Sequence, residues 1–160
     1  DFVVGQVWLR RGARAYLLDQ VRARMSFTET VAAFRTLAAR WPDVRVHLVE
    51  AKANGQAVID LFEGQVPAVL GYVPAANKYA RAQITSYKFQ AGNIWLPMPE
   101  HAPWVHEFVE LHVNFTGAAG GADDDIDAES QMMIHLDDAD AIRPNDALER
   151  IRGISGRPAR

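Results

Sequence analysis

The sequence predicts an α/β domain with a mixed central sheet flanked by helices. Two β-rich runs at its start are separated only by a turn of arginines and a glycine, which makes an antiparallel hairpin. Short strand-like runs then alternate with segments of helical period, the order that lays helices over a sheet with parallel strands. The composition supplies one core: 160 residues, 49% hydrophobic and 23% charged, suit a single domain.

In chain order, Phe2 to Leu9 is β-branched and aromatic, Arg10-Arg11-Gly12-Ala13-Arg14 turns the chain, and Ala15 to Val21 returns as the second strand. Val31, Phe34, Leu37 and Ala38 then fall at helical spacing. Ser26 or Thr28 caps that helix and Pro42 lies beyond its end. Val44 to Val49 is a short strand ending at Glu50, and Asn54-Gly55 opens a helix through Ile59, Leu61 and Phe62. Val66 to Val73 is a further strand. Asn77 to Gln90 is a helix of mixed basic and apolar character stopped by Gly92, and Asn93 to Pro97 a brief strand. Trp104 to Val113 resumes a helical period. After the loop from Thr116 to Gly121, Asp123-Asp124-Asp125 begins a helix through Ala128, Met132, Met133 and Leu136, where acids favour the positive end of the helix dipole. Residues 1–136 read as the domain. Residues 137–160, with two prolines and few large apolar side chains, read as a tail or peripheral helix.

Composition narrows the chemistry. With no cysteine, the sequence has no thiolate metal site, disulfide or cysteine nucleophile. No apolar run reaches the roughly 18 residues of a membrane span, and no secretory signal opens the chain, so a soluble intracellular protein is expected. The opening on Asp1, with a strand at once, reads as part of a longer protein. A formal charge of −3 and a pI near 5.9 confine any nucleic-acid contact to a local basic surface. The five histidines lack HExxH spacing, neither phosphate-binding glycine motif occurs, and the four serines lack a nucleophile elbow.

Two acidic features remain. Glu50 follows an apolar strand directly, at the carboxyl end where open α/β sheets carry their sites, although a strand end also accommodates a solvated glutamate. Asp123, Asp124, Asp125 and Asp127 fall within five positions. One or two acids suffice to start a helix, and four repel one another unless a cation neutralises them. Oxygen donors without nearby histidine or cysteine suit Mg²⁺ or Mn²⁺, and carboxylates from two elements are able to hold two such ions about 4 Å apart. Basic residues gather at Arg10, Arg11 and Arg14, at Lys52 beside Glu50, and at Lys78, Arg81 and Lys88 on one helix, of which the last group best suits phosphate because Lys78 and Arg81 share a face.

These pieces, in this order, resemble the C-terminal nuclease domain of the large terminase subunit of tailed bacteriophages and prophages. Asp1-Phe2-Val3-Val4-Gly5-Gln6-Val7-Trp8 with Tyr16-Leu17-Leu18-Asp19 resembles that family's first hairpin, and Val49-Glu50-Ala51-Lys52-Ala53-Asn54-Gly55-Gln56-Ala57 its strand-end acid motif. Asn77-Lys78-Tyr79-Ala80-Arg81-Ala82, followed by Gly92-Asn93-Ile94-Trp95-Leu96-Pro97, is similar to its basic helix, and Asp123-Asp124-Asp125-Ile126-Asp127-Ala128 to its final acidic motif.

The resemblance implies a ribonuclease H-like fold and metal-dependent cutting of concatemeric viral DNA during genome packaging, by two-metal phosphodiester hydrolysis. It implies Glu50 and Asp124 as catalytic acids, with Glu50, Asp123, Asp124 and Asp127 available to Mg²⁺ or Mn²⁺ and Lys52, Lys78 and Arg81 to DNA. The implied partners are double-stranded DNA, the terminase ATPase domain, the small subunit and the portal, with no membrane, in the cytoplasm of a bacterial host. Two departures stand out. The family's first catalytic aspartate, on a strand before the hairpin, lies upstream of Asp1, and Ala122 stands where the final motif often has histidine. An incomplete acid set leaves as one alternative a non-catalytic DNA- or protein-binding module on the same fold; a further alternative, within the enzyme class, is another ribonuclease H-like nuclease such as a resolvase.

Overall fold

A computed structural model describes residues 2–52, 54–74, 77–116 and 124–138. Strands β1 (Val3–Arg11) and β2 (Arg14–Ala23) form the expected hairpin, closed by a two-residue turn whose first position, Gly12, has φ +59°. Glycine adopts that left-handed backbone without a Cβ clash. The register slips between Val7 and Trp8, so Leu18 is the extra residue of a bulge. Beyond the slip, Asp19 is buried; it accepts from Arg40 Nη1 at 2.7 Å and Trp41 Nε1 at 2.8 Å.

Those partners end helix α1 (Phe27–Arg40), which Ser26 caps through a reciprocal capping box with Glu29. Next come β3 (His47–Glu50), α2 (Gly55–Phe62), β4 (Val69–Tyr72), α3 (Lys78–Gln90), β5 (Ile94–Trp95) and α4 (Val105–Val113). A last helix, α5, occupies residues 124–138. The tail beyond 138 lies outside the described residues.

The strands form two hydrogen-bonded sets. β1, β2 and β5 make a mixed sheet in that order, antiparallel between β1 and β2 and parallel between β2 and β5, and β3 pairs in parallel with β4. The α/β class and the mixed sheet are as the sequence predicts. No described strand pairs with the second edge of β1 or of β3. Phe34 of α1 packs on Phe62 of α2 with ring centroids 4.4 Å apart, and the fully buried side chains include Leu17, Phe62, Phe108 and Met133.

Helix α5 joins these parts. Ile126 and Met133 are buried on it, and polar side chains along its length bond Phe2, β2, β3, α3 and α4. Its first residue meets Phe2 before β1, and the carbonyl of Leu136 accepts from Arg10 near the hairpin turn, so α5 runs along β1.

Candidate active site

Glu50 ends β3, beside Tyr72 at the end of β4; Ala51 N–H donates to the Tyr72 carbonyl at 2.8 Å. Both strands therefore present their carboxyl ends on one side, the crevice in which parallel α/β sheets place ligands. The chain returns at once: Gly55 N–H donates to the Lys52 carbonyl at 2.8 Å, and a Cβ built on Gly55 would stand 1.8 Å from the Glu50 carbonyl oxygen. Only glycine permits this approach, so α2 starts directly beside Glu50.

The Glu50 carboxylate has two partners. Lys52 Nζ lies 3.1 Å from Oε1, with Lys52 61% and Glu50 33% exposed in their side chains. Gln131 Nε2, from α5, donates to Oε2 at 2.6 Å, and Gln131 is buried. Asp124 lies seven residues before Gln131, a separation that returns to nearly the same face of a helix after two turns. Asp124 Oδ2 accepts from Phe2 N–H at 3.2 Å. Glu50, through Gln131, and Asp124 thus stand along one face of α5, two turns apart.

The other predicted residues divide. Asp123 lies outside the described residues. Asp127 is bound on both oxygens, by Lys78 at 2.9 Å and by Arg81. Lys78 is 36% exposed and Arg81 only 6%. The acid read as a metal neighbour and two of the cations read as DNA contacts thus meet as an ion-paired cluster tying α3 to α5. Opposite charges on adjoining faces make that pairing favourable, and the sequence does not show that these two helix faces adjoin. Among the described residues, no group of three or more His, Asp or Glu stands close enough to hold a metal.

Sequence reasoning missed a second polar cluster beside the site. Asp125 and Glu129, one helical turn apart, are fully buried on α5. Arg22 Nε donates to Asp125 Oδ2 at 2.6 Å and Arg22 Nη1 to Glu107 at 2.6 Å, while His112 Nε2 lies 2.5 Å from Glu129 Oε2. Burial pushes the Asp125 carboxyl up against the opposing pull of Arg22, and pushes Glu129 up against that of His112. For His112, burial works toward a lower value, but the bond and charge of Glu129 and the Phe108 carbonyl outweigh it and raise the imidazole. The available clue was polar Asp125 and Glu129 recurring at helical spacing beside Ile126 and Met133.

An apolar groove of about 660 Å³ between α3 and α4, lined in part by Tyr79, Phe89, Phe108 and Val113, contains neither Glu50 nor Asp124.

In comparison with known families, the model of the terminase RNaseH-like domain matches residues 1–136. Neither a search of curated proteins nor one of solved structures returns a match.

Proposed function

Because the chain belongs to the terminase RNaseH-like domain family, we propose that it is the DNA-cutting domain of a packaging enzyme, a metal-dependent endonuclease acting on concatemeric viral DNA. The observation that carries the reading is Glu50 at the carboxyl end of β3, held by Gln131 on the α5 face that also bears Asp124.

The donor chemistry fits a hard divalent cation: Glu50 and Asp124 offer carboxylate oxygens, and Glu50 is partly open to solvent. Mg²⁺ or Mn²⁺ bound there would polarise a phosphoryl oxygen and make water acidic enough to serve as nucleophile. Glu50 and Asp124 would hold the cation, with an upstream aspartate completing the set. Asp123 is kept as a neighbouring ligand, and Asp127 orders Lys78 and Arg81. Lys52 sits loosely on Glu50 and is long enough to leave it for a phosphate once another cation takes the carboxylate. Lys78 exchanges Asp127 for DNA phosphate at the surface, and buried Arg81 keeps that cluster in place. Contacts of this kind read the backbone, so affinity falls with salt and varies little with sequence. The ATPase domain, small subunit and portal would deliver DNA to the site, in the cytoplasm of a bacterial host.

The test is supercoiled-plasmid cleavage with Mn²⁺ or Mg²⁺ by this chain, by a form extended upstream through the preceding strand, and by that form carrying Glu50→Ala. Cleavage by the unmutated extended form alone is expected. Equal cleavage by Glu50→Ala would remove Glu50 from the site. A second reading is a binding module without catalysis; folded extended protein that binds DNA but neither binds metal nor cuts would establish it.

A further inference from the structure

We infer that Gln131 is a positioning residue for the cation site: its side-chain amide fixes the Glu50 carboxylate against the α5 face that carries Asp124. The inference rests on the reading of Glu50 and Asp124 as cation ligands. Gln131 Nε2 stands 2.6 Å from Glu50 Oε2, 81 residues away in sequence, and Gln131 is 5% exposed. Its geometry is therefore set by packing before any ligand arrives. Side chains on a helix lean toward its N-terminus, the direction in which Asp124 lies two turns away along α5.

The chemistry of the donor matters. A buried lysine or arginine at this position would neutralise the carboxylate and compete with an incoming cation. A neutral amide orients one oxygen while leaving the full negative charge for the cation, the usual arrangement by which outer partners hold a ligating carboxylate. Lys52 plays the contrasting part on Oε1: it is charged, exposed and 3.1 Å away, a partner suited to displacement. Gln131 thus supplies a fixed restraint and Lys52 an exchangeable one.

The test is Mn²⁺ calorimetry on the nucleotide-free full-length protein, comparing wild type, Glu50→Gln and Gln131→Met, with plasmid cleavage as a function of Mn²⁺ alongside. Methionine keeps the volume and removes the donor. Gln131→Met is expected to weaken the Glu50-dependent Mn²⁺ binding roughly 10- to 100-fold and to raise half-saturating Mn²⁺ for cleavage similarly. The rate at saturating Mn²⁺ should fall much less. An unchanged Mn²⁺ midpoint in folded Gln131→Met, with binding lost in Glu50→Gln, would overturn the role of Gln131 alone. Unchanged binding in Glu50→Gln would overturn the site reading and this inference with it. Should Gln131→Met not fold, Gln131→Asn withdraws the amide by one methylene while keeping its polarity, and the same midpoint decides.

Discussion

His112 and Glu129 hold one proton between them. His112 Nδ1 lies 2.7 Å from the Phe108 carbonyl oxygen, which only accepts, so Nδ1 carries a proton and donates it. Nε2 then meets Glu129 Oε2 at 2.5 Å either as imidazolium to carboxylate or as neutral imidazole accepting from a neutral carboxyl. Both arrangements contain one more proton than a neutral histidine beside an ionised glutamate, which is how the unfolded chain stands above about pH 6.5. The raised values of His112 and Glu129 agree in direction. Folding therefore takes up a proton there. This stabilisation is fully present below the unfolded histidine pKa and is lost as pH rises through the folded value, at up to about 1.4 kcal/mol per pH unit. Glu129→Gln, which keeps the shape and a donor for Nε2, should remove that slope. Urea denaturation of both proteins between pH 6 and 9 checks it, and an unchanged slope would place the proton elsewhere.

At the scale of elements, the entry to α2 has a consequence that runs against helix propensity. Gly→Ala at a helical position ordinarily stabilises by about 0.5–1 kcal/mol. At Gly55 the added Cβ would stand 1.8 Å from the Glu50 carbonyl oxygen, a backbone atom that moves only if β3 or α2 moves. Gly55→Ala is expected to cost about 1–3 kcal/mol, the range for forcing atoms into a packed site, and to lower cleavage by displacing Glu50. Thermal and chemical denaturation read the first effect and plasmid cleavage the second; a more stable variant would show that the approach of α2 is loose. The elements themselves were legible. The Arg-Gly turn, the Ser26 cap and the Asn54-Gly55 break each act within a few residues. Glu50 was legible as a candidate for the same reason, since a strand end is a local property. Gln131, Arg22 and His112 were not, because their partners Glu50, Asp125 and Glu129 are 81, 103 and 17 residues away. Pairing of Asp127 with Lys78 and Arg81 likewise depends on how α3 meets α5.

At the scale of the molecule, two features of the described residues leave room for a further strand. The described strands form separate sets, β1-β2-β5 and β3-β4, with the second edges of β1 and β3 unmatched by any described strand. Helix α1, 14 residues long, has no fully buried side chain, although Phe34 reaches Phe62 and Leu37 reaches Gly5. Open edges carry unpaired N–H and C=O groups that gain hydrogen bonds when another strand enters, and a strand there would also cover α1. The sequence resemblance expects such a strand upstream, carrying the first catalytic aspartate. Lying against β1 or β3, it would bring a third carboxylate near Glu50 and Asp124. The upstream-extended form should therefore unfold at a higher temperature than this chain. In hydrogen exchange, amides of β1 and β3 outside the existing ladders should gain protection, while those of β4 and β5 change little. Protection confined to other elements would place the added segment elsewhere and leave the proposed cation site with no further acid from it.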